Sequence, residues 1–178
     1  TAIVLGLTAY SIANFMPQSW YDRMGTIETH DEDKSAQGRI NAWWTSWHVA
    51  NDRFLGGGFE CFQPLTFEIY APDPDNVHDV HSVIFEMLGE HGFVGLGIFM
   101  LLGVSSWLSA GWTARKAKRM PGILWVSDMM RMVQCSLIAY AIAGLFLGLS
   151  YFDYYYTLIV VIVASAWLVK QRLNNQPD

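Results

Sequence analysis

The sequence predicts an all-α, polytopic integral membrane protein with about four transmembrane helices and one long, partly helical outer loop. Three observations carry this. The 178 residues are 52% hydrophobic and 15% charged, which is not a soluble balance. The apolar residues form uncharged runs at 1–16, 93–112, 132–152 and 154–169, and about 20 such residues cross a hydrocarbon core of about 30 Å. The charges are also sorted by side. Residues 17–91 carry thirteen acids and four bases (Arg23, Lys34, Arg39, Arg53), whereas Arg115, Lys116, Lys118, Arg119, Arg131, Lys170 and Arg172 flank the opposite ends of the runs. Basic loops stay on the cytoplasmic side, so 17–91 is expected outside.

The expected division is therefore a transmembrane helix at 1–16, an outer loop at 17–91 carrying the site, and a second span at 92–112. A cytoplasmic loop at 113–131, spans at 132–152 and 153–169, and a cytoplasmic tail at 170–178 complete it. The chain opens at Thr1 inside an apolar run with no basic leader or cleavage signal, which reads as the C-terminal piece of a larger membrane protein. Cys61 and Cys135 fall in the loop and in a span and are not expected to pair. No CxxC, phosphate-binding loop or GxSxG motif occurs, so no cofactor is indicated, and the acidic loop argues against nucleic acid as a partner.

Seventy-five residues between two spans exceed what a connector needs, and long structured loops carry function. Trp20 and Tyr21 leave the membrane at headgroup level. Ser35 is placed to cap a helix over 36–51, on which Ile40, Trp43, Trp44, Trp47 and Asn51 follow helical spacing. Such a face either lies in the membrane interface, against lipid headgroups, or packs on the spans. Arg39 on this helix offers a planar, permanently charged fork for phosphate oxygens, or snorkels among the headgroups. The three glycines of "DRFLGGGFE" end the helix and permit positive φ or close backbone approach. They make a weak phosphate cradle, with no lysine or helix start to complete it. Pro64, Pro72 and Pro74 predict an irregular cover over 61–79.

The stretch "VHDVHSVIFEMLGEHG" then predicts a helix starting near His81, capped by Asp79 or Ser82. A histidine in a first turn feels the positive end of the helix dipole, which favours the neutral imidazole that a general base needs. Three readings of His81 stand side by side: a capping or packing side chain, a metal site with His78 and Asp79, and acid–base work at the membrane surface. Glu86 and Glu90, four apart on one face, are either carboxylate partners or a solvated face.

Taken together, "RMGTIETHDEDKSAQGRINAWWTSWHVANDRFLGGGFE" and, after a gap, "HDVHSVIFEMLGEHGFVGLGIF" resemble the O-antigen ligase and polymerase superfamily of bacterial membrane proteins. The likeness is closest to the O-glycosylation ligases associated with the exosortase A system, and covers nearly the whole chain. The specific feature is the order: arginine, tryptophan-bearing helix, glycine turn, long loop, histidine, then "GEHGFVGLG" into a span. At "DRFLGGG" many members carry a proline before the glycines, which this chain lacks.

The resemblance implies a multi-pass inner-membrane glycosyltransferase acting in the periplasm. The donor would be an undecaprenyl-pyrophosphate-linked glycan, and the acceptor the lipid A core, a second carrier-linked glycan, or a protein hydroxyl. It implies His81 and Arg39 as catalytic residues, and Arg23 as a further substrate-binding arginine. Arg39, with Arg23, would stabilise the pyrophosphate leaving group without a metal, and Trp43 and Trp47 would stack on sugar or prenyl units. Membrane lipids are expected neighbours. The rival classes are a polymerase joining two carrier-linked glycans, a non-catalytic carrier-binding transporter component that does not need His81 as a base, and a metal-dependent membrane hydrolase sensitive to chelators.

Overall fold

The computed structural model describes residues 34–175 together with Gln18 and Ser19. The expected span at 1–16, the Trp20–Tyr21 pair and Arg23 lie outside the described residues. Among those described, all regular structure is helical: α1 Lys34–Asp52, α2 Pro64–Tyr70, α3 Val83–Ala117, α4 Leu124–Gly144 and α5 Asp153–Asn174, with a 3-10 turn at Pro121–Ile123.

α3 is one helix in sequence but two in direction. Gly92 sits at φ 65°, ψ −165° inside it, a combination that only glycine adopts without strain. An outer arm, 83–91, therefore bends away from a long arm, 93–117. The long arm, α4 and α5 form an apolar bundle whose core includes Ala110, Ala114, Val126, Met130, Tyr155 and Ile162. Alanines along α3 let the backbones approach closely, as in lipid-embedded packing. Tyr140 and Tyr155 stack at 4.9 Å, and Gln134 donates to the Trp107 carbonyl across the α3–α4 seam at 3.0 Å. Outward-facing side chains such as Ile98, Leu101, Ile142, Val160 and Val163 are exposed and apolar, the arrangement a hydrocarbon solvent demands.

Two of these helices, Val83–Ala117 and Asp153–Asn174, are long and apolar enough to cross a membrane. The helix bounds depart from the apolar runs in an instructive way. The run at 132–152 predicts a helix with those bounds, whereas α4 begins at Leu124 and stops at Gly144. It starts earlier because Asp128 and Arg131 are tolerated on an exposed face. Where it stops, Gly144 lies against Val83, and a β-carbon there would meet Val83 Cγ2 at 2.9 Å. Residues 145–152 instead turn beneath the outer arm. The segment at 113–131 is mostly helical too, leaving a connection of only 118–123 around the 3-10 turn.

The rest of the chain forms a cap. α1 runs alongside the outer arm, and α2 closes over both around a small core of Ala42, Phe67 and Val80. The proline-rich stretch expected to be irregular thus contains a helix, with Pro64 in its first turn, where its missing N–H costs nothing. α1 itself runs within two residues of its expected bounds. It packs through its small side, where Gly38, Ala42, Thr45, Ser46 and Val49 are buried, while Ile40, Trp44 and Trp47 face outward. The Thr45 and Ser46 hydroxyls are satisfied by the Asn41 and Ala42 carbonyls one turn back.

Candidate active site at the head of α3

The cap is fastened to α3 at two places, and His81 lies at one of them. At the lower place, the glycine turn closes on the kink. Gly57 N–H donates to the Gly89 carbonyl at 2.8 Å and Gly58 N–H to the Glu90 carbonyl at 2.9 Å. These are carbonyls that the break in the helix leaves without partners. The approach tolerates no side chain, since a β-carbon on Gly56 would lie 2.4 Å from the Glu90 carbonyl and one on Gly92 2.1 Å from that of Phe54. The glycines therefore serve close backbone approach. Two of their amides are occupied by α3 and are not offered to a phosphate.

Glu90 is buried, and hydrogen bonds compensate its burial. It accepts from the Glu60 N–H at 2.8 Å and from the Tyr151 hydroxyl. Having donated to Glu90, the Tyr151 oxygen accepts from His91 Nε2–H at 2.8 Å, which fixes the His91 tautomer. Glu86 accepts from the Ser150 N–H at 3.2 Å. The two carboxylates are thus neither a solvated face nor a mutual pair; they pin the 145–152 turn under the outer arm. Beside them Cys61 is buried, and burial first, then the nearby Glu90 charge, pushes its thiol up to about 12. Both Cys61 and Cys135 are free.

At the upper place, α1 holds the segment leading into α3. Asn41 Nδ2 donates to the Asp73 and Asn76 carbonyls at 2.8 and 3.0 Å, and its Oδ1 accepts from Asp73 N–H at 3.0 Å. The His78 ring lies on Gly38, where a β-carbon would meet it at 2.5 Å. Trp43 stacks on Phe85 at 4.9 Å with 9° between planes, and its indole N–H donates to the Val80 carbonyl at 2.9 Å. On the far side of α1, His48 Nδ1 meets the Tyr70 carbonyl at 2.8 Å. The Tyr70 hydroxyl donates to Asp52 at 2.5 Å, which pushes the phenol above its ordinary range.

His81 falls just before the helix. α3 starts at Val83, with Ser82 at the N-cap position and no side-chain cap bond, so neither expected capping interaction forms. The Asp79 carboxylate instead accepts from Val80 N–H at 2.8 Å and faces His81 Nδ1 at 3.6 Å. His81 has φ 42°, a left-handed conformation uncommon for a residue with a β-carbon, and its side chain is 44% exposed. Arg39 is exposed on α1, next to Gly38, and makes no ion pair among the described residues. Arg39, His78 and His81 therefore share one end of the cap, because α1 reaches past the start of α3 over 73–81. Trp47, by contrast, lies lower, edge-on to Phe93 at 5.6 Å. His78 is held against α1, and among the described residues no three His, Cys, Asp or Glu side chains gather as a metal site.

Sequence reasoning missed the Glu90–Tyr151–His91 chain, because its members come from two segments 60 residues apart. The one available signal was an acid inside a glycine-flanked "GEHG", where burial and a backbone break coincide.

A family model described as O-antigen ligase matches residues 1–100. No curated protein and no solved structure matches the chain. That match takes in more than half of the chain, including the tryptophan-bearing helix, the glycine turn and the head of α3, and the chain belongs to the O-antigen ligase family.

Proposed function

We propose that the chain is part of a membrane glycosyltransferase of O-antigen ligase type, which moves a glycan from undecaprenyl pyrophosphate to an acceptor hydroxyl of lipid A core or protein on the periplasmic side. Family membership supports a ligase- or polymerase-type enzyme working on a lipid-linked glycan. The observation that supports the finer reading is that the end of α1 carrying Arg39 lies against the segment leading to His81, with the His78 ring on Gly38. His81 is a half-exposed imidazole on a strained backbone and Arg39 an exposed guanidinium on the helix that holds that segment.

In the proposed step the acceptor O–H proton passes to His81 as the oxygen bonds to the anomeric carbon. The bond from that carbon to phosphate breaks, and undecaprenyl pyrophosphate leaves with the electron pair. A positioned base contributes about 10²–10⁴-fold. Arg39 meets the charge growing on the leaving phosphates through charge-assisted hydrogen bonds, joined by Arg23, and so supplies what a metal would otherwise supply. Trp47, exposed where α3 enters the apolar bundle, lies along the path of sugar or prenyl units. An apolar cavity of about 510 Å³ is lined by Val83 and Ile84, the first residues of α3, and runs between α3 and α4 past Gly103 to Trp107. It suits the first isoprenyl units of such a donor.

The four-span topology, with α4 and a segment before α1 crossing as well, belongs to this reading and rests on the charge asymmetry. The test uses the full-length protein in membranes with a labelled undecaprenyl-pyrophosphate glycan. Transfer that persists in EDTA but is lost in both His81→Ala and Arg39→Ala is the expected result. Loss with EDTA alone would move a metal-dependent reaction to the front.

A further inference from the structure

We propose that Trp43 and Asp79 are positioning residues for His81, acting through the Val80 peptide that lies between them. This rests on His81 being the base of the proposed transfer. Trp43 was expected from the sequence to stack on substrate. Its indole N–H is instead spent on the Val80 carbonyl at 2.9 Å, and one face of its ring on Phe85. Val80 is buried in the small core of the cap. Asp79 takes the N–H of that same residue through Oδ1 and turns Oδ2 towards His81 Nδ1. Both polar groups of Val80, the residue immediately before His81, are therefore fixed, one by α1 and one by the side chain preceding it.

The consequence concerns His81 directly. A left-handed φ at a non-glycine persists only when its surroundings over-determine it. Here no cap bond from Ser82 helps, and the two hydrogen bonds on Val80 fix the backbone immediately before His81. The contact at 3.6 Å is too long for a hydrogen bond. It orients Nδ1 towards the carboxylate and leaves Nε2 to receive a proton from the incoming hydroxyl. Loosening either anchor should leave donor binding intact and misplace the base, and small misplacements of a reacting group are costly.

The experiment measures release of undecaprenyl pyrophosphate by the full-length protein in membranes, with the concentration of a defined undecaprenyl-pyrophosphate oligosaccharide varied. Trp43→Phe keeps an aromatic ring to lie on Phe85 and removes the N–H with the rest of the pyrrole ring; Asp79→Ala removes the other anchor at an exposed site. Each is expected to lower kcat by about tenfold with KM unchanged, the pattern of an interaction felt only in the transition state. Added to His81→Ala, neither should lower the residual rate further, because residues acting through one group are not additive. A raised KM with unchanged kcat in Trp43→Phe would make it a substrate contact and overturn the proposal. So would wild-type kinetics in both variants, or a further loss on top of His81→Ala. If His81→Ala itself turns over normally, the transfer reading fails as well, which separates the two failures.

Discussion

The bundle and the cap are built on opposite principles. The bundle of the α3 long arm, α4 and α5 has a core of fourteen buried hydrophobic residues, and its outer face is apolar as well. The cap has a core of three, Ala42, Phe67 and Val80, and relies on directed hydrogen bonds: three at Asn41, one at Trp43, and the glycine amides on the α3 kink. Packing tolerates many sequences of similar volume, whereas a backbone clamp tolerates almost none. The difference teaches where single substitutions should matter. In the bundle they should be graded, and in the cap they should be abrupt and close to the site.

The largest effect is expected at Gly92→Ala, which forces a side chain against the Phe54 carbonyl and imposes an unfavourable φ. A loss of about 3 kcal/mol, at the top of the range for strained backbone, should appear as lower thermal stability in detergent and as release of the cap. Next comes Asn41→Ala, which removes three hydrogen bonds to residues 73–76. About 2–3 kcal/mol of local stability should go, read as faster hydrogen exchange over 73–80 with the bundle unaffected. Tyr151→Phe leaves the buried Glu90 one donor short and should cost about 1–2 kcal/mol in thermal unfolding. Gly97→Ala reverses the sign. Nothing lies within 4 Å of its β-position on the long arm, so a gain of about 0.5–1 kcal/mol in thermal stability is expected from helix propensity.

Cysteine chemistry sharpens the same contrast. With its pKa raised to about 12, Cys61 at pH 8 holds a thiolate fraction of about one in ten thousand. It should resist iodoacetamide in the wild type and react once Gly92→Ala opens the cap. The sign follows from burial: desolvation disfavours the thiolate, so raising the pH towards 12 should restore reactivity, and lowering it should not.

Much of this was legible in the sequence, and the misses have physical causes. The α1 helix and the glycine turn could be read because spacing and glycine clusters are local signals. The bounds of α4 could not, because its end at Gly144 lies against Val83, 61 residues away, a contact no local pattern marks. The face of α1 that packs was also hidden. The sequence leaves Trp43, Trp44 and Trp47 open between the membrane interface and packing on the spans; the small residues of α1 pack, and Trp44 and Trp47 face outward. Arg39 and His81 were singled out from residue type and order, and their placement at one end of the cap needed α1 to overrun the start of α3. The role of Glu90 depended on Glu60 and Tyr151, contacts that no local pattern announces.

The central claim is that His81 takes the acceptor proton, and chemical rescue tests it most directly. With the full-length protein in membranes and a labelled undecaprenyl-pyrophosphate glycan, His81→Ala should lose about 10²–10⁴-fold in transfer. Added imidazole should then restore part of the rate in that variant and leave Arg39→Ala unchanged. Wild-type transfer by His81→Ala without imidazole would contradict the account and return His81 to the role of a strained turn residue.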